Sequence, residues 1–252
     1  MKFGLPPGFS WDDSLKISNV PSDLTRELWP NYIVEESDIK EDEIAFEMTQ
    51  DEFDRRFPVW GIREDSSKKL IAYISAVQLY TDLSKNSLPD EGWSFAANSY
   101  ADKNTPNCIC LLAANVNRDF RKNGFSEALI EKAKYESKKM GFSQIIAPVR
   151  PTLKHKFSEL TMNDYLLKKT ETGDFFDPWI QSHVSQGAKV LNVCNKSVVV
   201  KASISKWQKW SGLQFEKSGD YIIPNALAKL KINLVNNVGI YNEPNVWVRY
   251  DF

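Results

Sequence analysis

Arg121-Lys122-Asn123-Gly124-Phe125-Ser126 stands between an apolar run, Cys108 to Val116, and an amphipathic segment that starts near Gly124 and runs to Met140. The apolar run shows little polar alternation, so it reads as a central strand covered on both faces. The amphipathic segment places Phe125, Leu129, Ala133 and Met140 on one side at helical spacing. Glu131–Lys134 and Glu136–Lys139 form i,i+3 pairs on the exposed side, and Gly141 is a left-handed stop. A strand-to-helix turn of this kind aims unpaired backbone N–H groups at one point, where the helix dipole adds partial positive charge. Arg121 and Lys122 add two cations there, and Gly124 lets the backbone come close to a ligand. The expected ligand of such a turn is a diphosphate.

Outward from this turn the chain keeps alternating strand and helix signals. Upstream, Val59 to Glu64 and Lys69 to Tyr80 read as a hairpin rich in β-formers. Thr81 to Asn107 reads as a long loop with one short element at most. The first 50 residues are mixed, with an acidic stretch from Glu35 to Asp51; Trp11, Trp29, Phe46 and Phe53 give that region apolar anchors, so it is expected to fold. Downstream, Gln144 to Val149 is another apolar strand, and Pro148 near its end cannot donate to a ladder, so the strand is expected to lose a neighbour there. Helices are expected over Thr161 to Lys169, started by a Thr161/Asp164 cap, and over Pro178 to Gln186, closed by Gly187. Ala188 to Cys194 and Val198 to Ser203 read as paired strands joined through Asn195-Lys196-Ser197. Ser205 to Trp210 reads as a short helix and Asn245 to Tyr250 as a final strand. The sum is an α/β domain around a mixed sheet.

Composition narrows the function. A net charge of −1 over 252 residues gives no global field for nucleic acid or an anionic membrane, so neither is expected as a partner. No run approaches the roughly 20 apolar residues that span a bilayer, and the start of the chain, with Pro6 and Pro7, lacks the apolar core of a secretory signal. Three cysteines without paired spacing argue against a disulfide framework and against a metal site. Cys108 and Cys110 alternate on one strand face as small core residues. The expectation is a soluble, cytoplasmic protein.

Val116 followed by Arg121-x-x-Gly124-x-Ser126 resembles motif A of the GNAT superfamily of acyl-CoA N-acyltransferases. That motif is a strand ending in valine, then Gln or Arg, two residues, Gly, one residue, and Gly or Ala. Pro178 to Ala188 resembles the family's second motif, a helix that ends before a glycine and a strand. The resemblance covers roughly Val59 to Cys194. Pro151–Lys156, Asp177-Pro178-Trp179 and Glu243-Pro244-Asn245-Val246-Trp247 resemble a bacterial GNAT-like subgroup. Three positions depart from the pattern: Ser126 for Gly or Ala, His183 for the usual tyrosine, and Phe176 for a common asparagine.

The resemblance implies an α/β fold with a mixed, mostly antiparallel central sheet, flanked by helices and splayed at its central strands. It implies one domain over 1–252, with an N-terminal part at 1–56, an acyl-CoA-binding core at 57–194 and a C-terminal extension at 195–252. It implies acetyl-CoA, or another acyl-CoA, as co-substrate, without a metal. Ala114, Val116, Arg121, Lys122, Asn123, Gly124, Phe125 and Ser126 would hold it, the pantetheine arm pairing with backbone near Ala114 and Val116. A small-molecule or peptide amine would attack the thioester directly. His183 stands where the family's proton donor stands; a catalytic role and simple packing near Trp179 are both open. Arg150 and Lys154, with His155 and Lys156, form a cluster that either binds a substrate carboxylate or phosphate or is a solvated basic loop. Trp207, Trp210 and Trp247 either pack the C-terminal segment or wall the substrate. A non-catalytic CoA-binding module and a protein-interaction domain are the rival readings.

Overall fold

A computed structural model describes residues 4–22, 24, 29–36, 48–102 and 104–252. Phe46 and the 37–47 part of the acidic stretch lie outside the described residues. The strands are β1 (Phe9–Asp12), β2 (Val59–Glu64), β3 (Leu70–Leu79), β4 (Cys108–Val116), β5 (Gln144–Val149), β6 (Lys189–Ala202), β7 (Gly219–Tyr221), β8 (Leu230–Asn233) and β9 (Val238–Asp251). The α-helices are α1 (Asn31–Glu36), α2 (Gln50–Arg56), α3 (Gly92–Ala97), α4 (Phe125–Lys139), α5 (Met162–Leu166), α6 (Pro178–Ser185) and α7 (Ile204–Ser211). They surround one sheet in the order β1-β2-β3-β4-β5-β9-β8-β7, with β6 on the other edge of β9. Every pairing is antiparallel except β4 with β5.

That one parallel pair is also the shortest in the centre. β4 and β5 are joined only at Ile109/Ile145 and Cys110/Ile146, after which both strands run on without pairing to each other. The splay begins before Pro148, as the missing donor of that residue led us to expect. β4 also carries an extra residue: Ser75 faces Ala113 and Ala76 faces Leu111, so Leu112 bulges out. Its carbonyl accepts from the Trp93 indole at 3.0 Å.

The two faces of the sheet build separate cores. Ile109, Leu111, Val116, Ile145, Ala147, Val149, Val246, Val248 and Tyr250 pack with Phe125, Leu129, Ile130 and Ala133 of α4. Cys108, Cys110, Ile146, Cys194 and Trp247 pack with Ala96 of α3 on the opposite face. The thiols of Cys108 and Cys110 are buried, and burial pushes their pKa up, to about 12 for Cys108, so they serve as core residues. A third core, with Trp207, Tyr32 and Tyr241, closes the C-terminal region.

Three expectations change here. The paired strands expected over Ala188 to Ser203 are one long strand, β6, both halves of which pair with β9 across register shifts. Asn195-Lys196-Ser197 has turn composition, but its polar groups are used to hold a bulge. Asp90 accepts from the Asn195 amide at 2.6 Å, and the Ser197 hydroxyl accepts from the Trp93 amide and from Asn245 Nδ2. The stretch 81–107, expected as a long loop with one short element, contains two, α3 and a 3-10 turn at Ser99–Ala101. Gly92 starts α3 at φ +43°, where a Cβ would run into Ser197 and Cys194, so α3 sits directly on the β6 bulge. The segment 195–252, expected as an extension, supplies β9, which lies beside β5 within the sheet. No helix among the described residues is long and apolar enough to cross a membrane.

Candidate active site

A cavity of about 730 Å³ occupies the wedge between β4 and β5. Leu111 to Val116 and Ala147 to Arg150 form its walls, and the turn from Arg118 to Glu127, lacking Asp119 and Asn123, forms one end. Pro178, Trp179 and His183 of α6 join the lining, as do Trp29, Thr152, His155 and Asn225.

The backbone explains what the walls offer. The Asn117 amide donates to Ile71 O on β3 at 2.8 Å. Amides alternate in direction along a strand, so those of Val116 and Ala114 point to the other edge, which β5 has left. That open edge leads to the start of α4. Gly124 is the N-cap with φ 76°, and no side chain caps the helix. Ala128 makes the first intrahelical bond, to Gly124 O at 3.0 Å, so the amides of the preceding turn face the cavity end unclaimed by the helix. Lys122 also has a positive φ, 67°, which turns the chain sharply before the helix. Ala114, Val116, Arg121, Lys122, Gly124, Phe125 and Ser126 are thus brought to one cavity. Asn123 is not in the lining; its Nδ2 donates to Phe120 O at 3.1 Å.

Alternation also decides what reaches the opposite face. Val116 joins the α4-side core, while Asn115 turns away, its Nδ2 donating to the Tyr73 hydroxyl at 2.6 Å and its Oδ1 accepting from Trp29. Val149 joins the α4-side core, and Arg150 follows it onto the other face. There Arg150 Nε is ion-paired with buried Glu243, and Nη2 donates to Asn225 O at 2.8 Å. The guanidinium lies 5.7 Å from the Trp29 ring centroid. Glu243 is held in turn by the Tyr241 hydroxyl. Burial works against the Arg150 cation, but Glu243 beside it raises its pKa above the ordinary value.

The histidines differ sharply. His183 is buried on α6, its Nδ1 2.6 Å from the Tyr250 hydroxyl and its ring edge-on to Trp179. Burial drives its pKa down to about 3. It lines the cavity wall tied to Tyr250, in surroundings that disfavour the imidazolium form. His155 is half-buried, and its Nδ1 lies 3.0 Å from Thr152 O. A carbonyl only accepts, so Nδ1 carries the hydrogen, and in the neutral ring Nε2 holds the lone pair.

Lys154 departs from both of its expected roles. It is fully buried and absent from the lining, and its ammonium donates to Phe157 O, Leu160 O and Leu227 O at 2.9, 2.9 and 2.6 Å. Burial lowers its pKa to about 8. The charge ties the 154–160 turn to the segment that carries Leu227. Trp207 and Trp247 are fully buried packing residues outside the cavity. Lining residues that sequence reasoning passed over as site residues include Trp29, Arg118, Phe120, Glu127, Thr152 and Asn225, together with Glu243 behind Arg150. Apart from the alternation that carries Arg150 and Glu243 to one face, no local pattern marks them, because their partners are far away in the chain. Among the described residues no group of three His, Cys, Asp or Glu side chains is placed to hold a metal ion.

No family model matches the chain. A curated relative, the arginine N-acetyltransferase avaD of Aspergillus versicolor, is 24% identical over 277 residues, covering 97% of this chain and 94% of its own length. The loading GNATL domain of CurA from Lyngbya majuscula superposes with a TM-score of 0.58 at 15% identity, over 96% of this chain and 97% of that one. The GphF GNAT-like decarboxylase in complex with isobutyryl-CoA does so with a TM-score of 0.54 at 15% identity, over 96% and 98%. The two structures establish the fold: an open, mostly antiparallel sheet flanked by helices, like this one. With this sheet and its splayed strand pair, the chain shares the fold of these GNAT-like structures and is similar along nearly its whole length to an N-acetyltransferase.

Proposed function

We propose that the chain is an acyl-CoA-dependent N-acyltransferase that moves an acetyl group from acetyl-CoA to a primary amine by direct attack. The observation that carries this reading is the continuity of the open β4 edge, with the amides of Ala114 and Val116, into the uncapped start of α4. A diphosphate fits the amides at Gly124 to Glu127, with Arg121 and Lys122 beside them. The pantetheine arm fits the β4 edge as an added strand. The named activity of the curated relative supports amine acetylation, and the isobutyryl-CoA held by the GphF decarboxylase supports acyl-CoA binding on this fold.

The acceptor enters from the face of Trp29 and Arg150. Its nitrogen forms the new C–N bond as the C–S bond breaks, and the departing thiolate takes a proton from the surrounding water. The proton lost by the amine goes to His155, whose Nε2 is the acceptor atom fixed by the Thr152 contact. His183 packs the wall. Much of the acceleration in such a site comes from holding amine and thioester together. A small-molecule or peptide amine and a cytoplasmic setting belong to this reading.

Melting with and without acetyl-CoA, followed by thiol release with an amine panel that includes arginine, tests it. The reading expects stabilisation by acetyl-CoA and amine-dependent thiol release. Stabilisation without release would favour a CoA-binding module, the alternative that a neutral His183 at the family's tyrosine position supports. Absence of both effects would remove the transferase reading.

A further inference from the structure

The cavity end away from α4 has a chemistry of its own. Arg150 is held there at three points: Nε by Glu243, Nη2 by the Asn225 carbonyl, and the guanidinium face by Trp29. Tyr241 fixes Glu243 from behind. A guanidinium restrained in this way presents its remaining N–H groups as a rigid fork, which matches a carboxylate. A stabilising role alone explains the arrangement poorly, because a buried ion pair contributes little net stability over apolar packing. Among the described residues lining the cavity, the lone carboxylate is Glu127 on α4, which accepts from Ser182 Oγ at 3.2 Å. The face that carries Arg150 therefore offers a cation and no lining anion.

We propose that Arg150 binds a carboxylate carried by the acceptor beside its amine, so that the acceptor class is amino acids and not simple amines. This rests on the acetyl-transfer reading above and adds the acceptor class to it. The diphosphate then lies on the α4 side and the carboxylate on the opposite side. The attacking nitrogen meets the thioester between them.

The test compares kcat/KM for a panel of amino acids, each beside its decarboxylated amine, arginine beside agmatine among them, with acetyl-CoA as donor. The expected preference is about 30-fold or more for the member that keeps its carboxylate. Arg150→Gln should shrink that preference to within about threefold, mainly through KM, while acetyl-CoA still stabilises the variant against heat. Equal turnover of the two members by the unaltered protein overturns the proposal, even where the variant does not fold. Stabilisation by acetyl-CoA with no turnover of any amino acid overturns it too. Repeating the comparison with malonyl-CoA covers the other source of a carboxylate. An Arg150→Gln effect confined to malonyl-CoA would assign the fork to the acyl chain and overturn the acceptor assignment. Absence of any acetyl-CoA stabilisation of the unaltered protein is a different failure, which removes the transfer reading and this proposal with it.

Discussion

Arg150, at the end of β5, and Glu243, on β9, meet across 93 residues to form a buried ion pair behind the cavity wall. Removing one partner strands the other charge. Glu243→Ala is therefore expected to lower the free energy of unfolding by about 3–5 kcal/mol. The double change Arg150→Met with Glu243→Met should restore most of it, because apolar packing replaces the pair. Urea denaturation of the two variants checks both values, and equal losses would show that the pair is not coupled.

Charge reversal at Arg121 and Lys122 acts at the mouth of the α4 turn. The double variant Arg121→Glu/Lys122→Glu should raise KM for acetyl-CoA by more than about tenfold, with little change in unfolding free energy, since both side chains are exposed. The effect should fade as salt is added. Initial-rate kinetics at low and high ionic strength measure it.

His183 gives the fold a pH dependence of known sign. Its folded pKa, about 3, lies below the ordinary value of 6.5. The unfolded chain therefore binds the extra proton between those values. Stability from this residue is complete above 6.5 and declines as the pH falls toward 3. The loss is on the order of 2 kcal/mol by about pH 5. His183→Phe should flatten that part of the stability profile. Chemical denaturation across the range is the check, and an unchanged slope would contradict the assignment.

Lys154→Met tests a structural role. Three carbonyls, that of Leu227 buried, lose their donor at once, and a cost of about 3 kcal/mol in stability is expected. KM for the acceptor, measured on the folded fraction, should stay within about twofold. A large rise in KM with full stability would return Lys154 to the substrate site.

His155→Gln removes the proposed proton acceptor. The expected result is a fall in kcat of about 100-fold at neutral pH. The deficit should shrink at alkaline pH, where the amine loses its proton to water unaided. A pH–rate profile parallel to that of the unaltered protein would contradict this role.

Much of the frame was legible in the sequence, and the reasons are local. The limits of Cys108–Val116 follow from an apolar run with Asn115 as its one polar residue, and α4 follows from its stripe and its glycine boundaries. Pro148 marked the splay through its missing donor. What escaped was decided by distant partners. Asn195 to Ser197 look like a turn until Asp90, Trp93 and Asn245 take up their polar groups. The first half of β9 was hidden by Gly239, Asn242 and Pro244, and is held as strand by β6 and β8. Lys154 sits between His155 and Lys156 in a sequence that reads as solvated, yet its ammonium is enclosed by carbonyls as far away as Leu227. Of the cavity, the turn at Arg121 to Ser126 was readable because its function is backbone geometry. The wall of Trp29, Arg150 and Glu243 was only partly so, since three remote segments build it.

Amide hydrogen exchange with and without acetyl-CoA tests the central claim most directly. The account predicts slowed exchange at Ala114, Val116 and the amides from Gly124 to Glu127, with little change at Asn117, which β3 already holds. Exchange at those amides that is indifferent to saturating acetyl-CoA would contradict it.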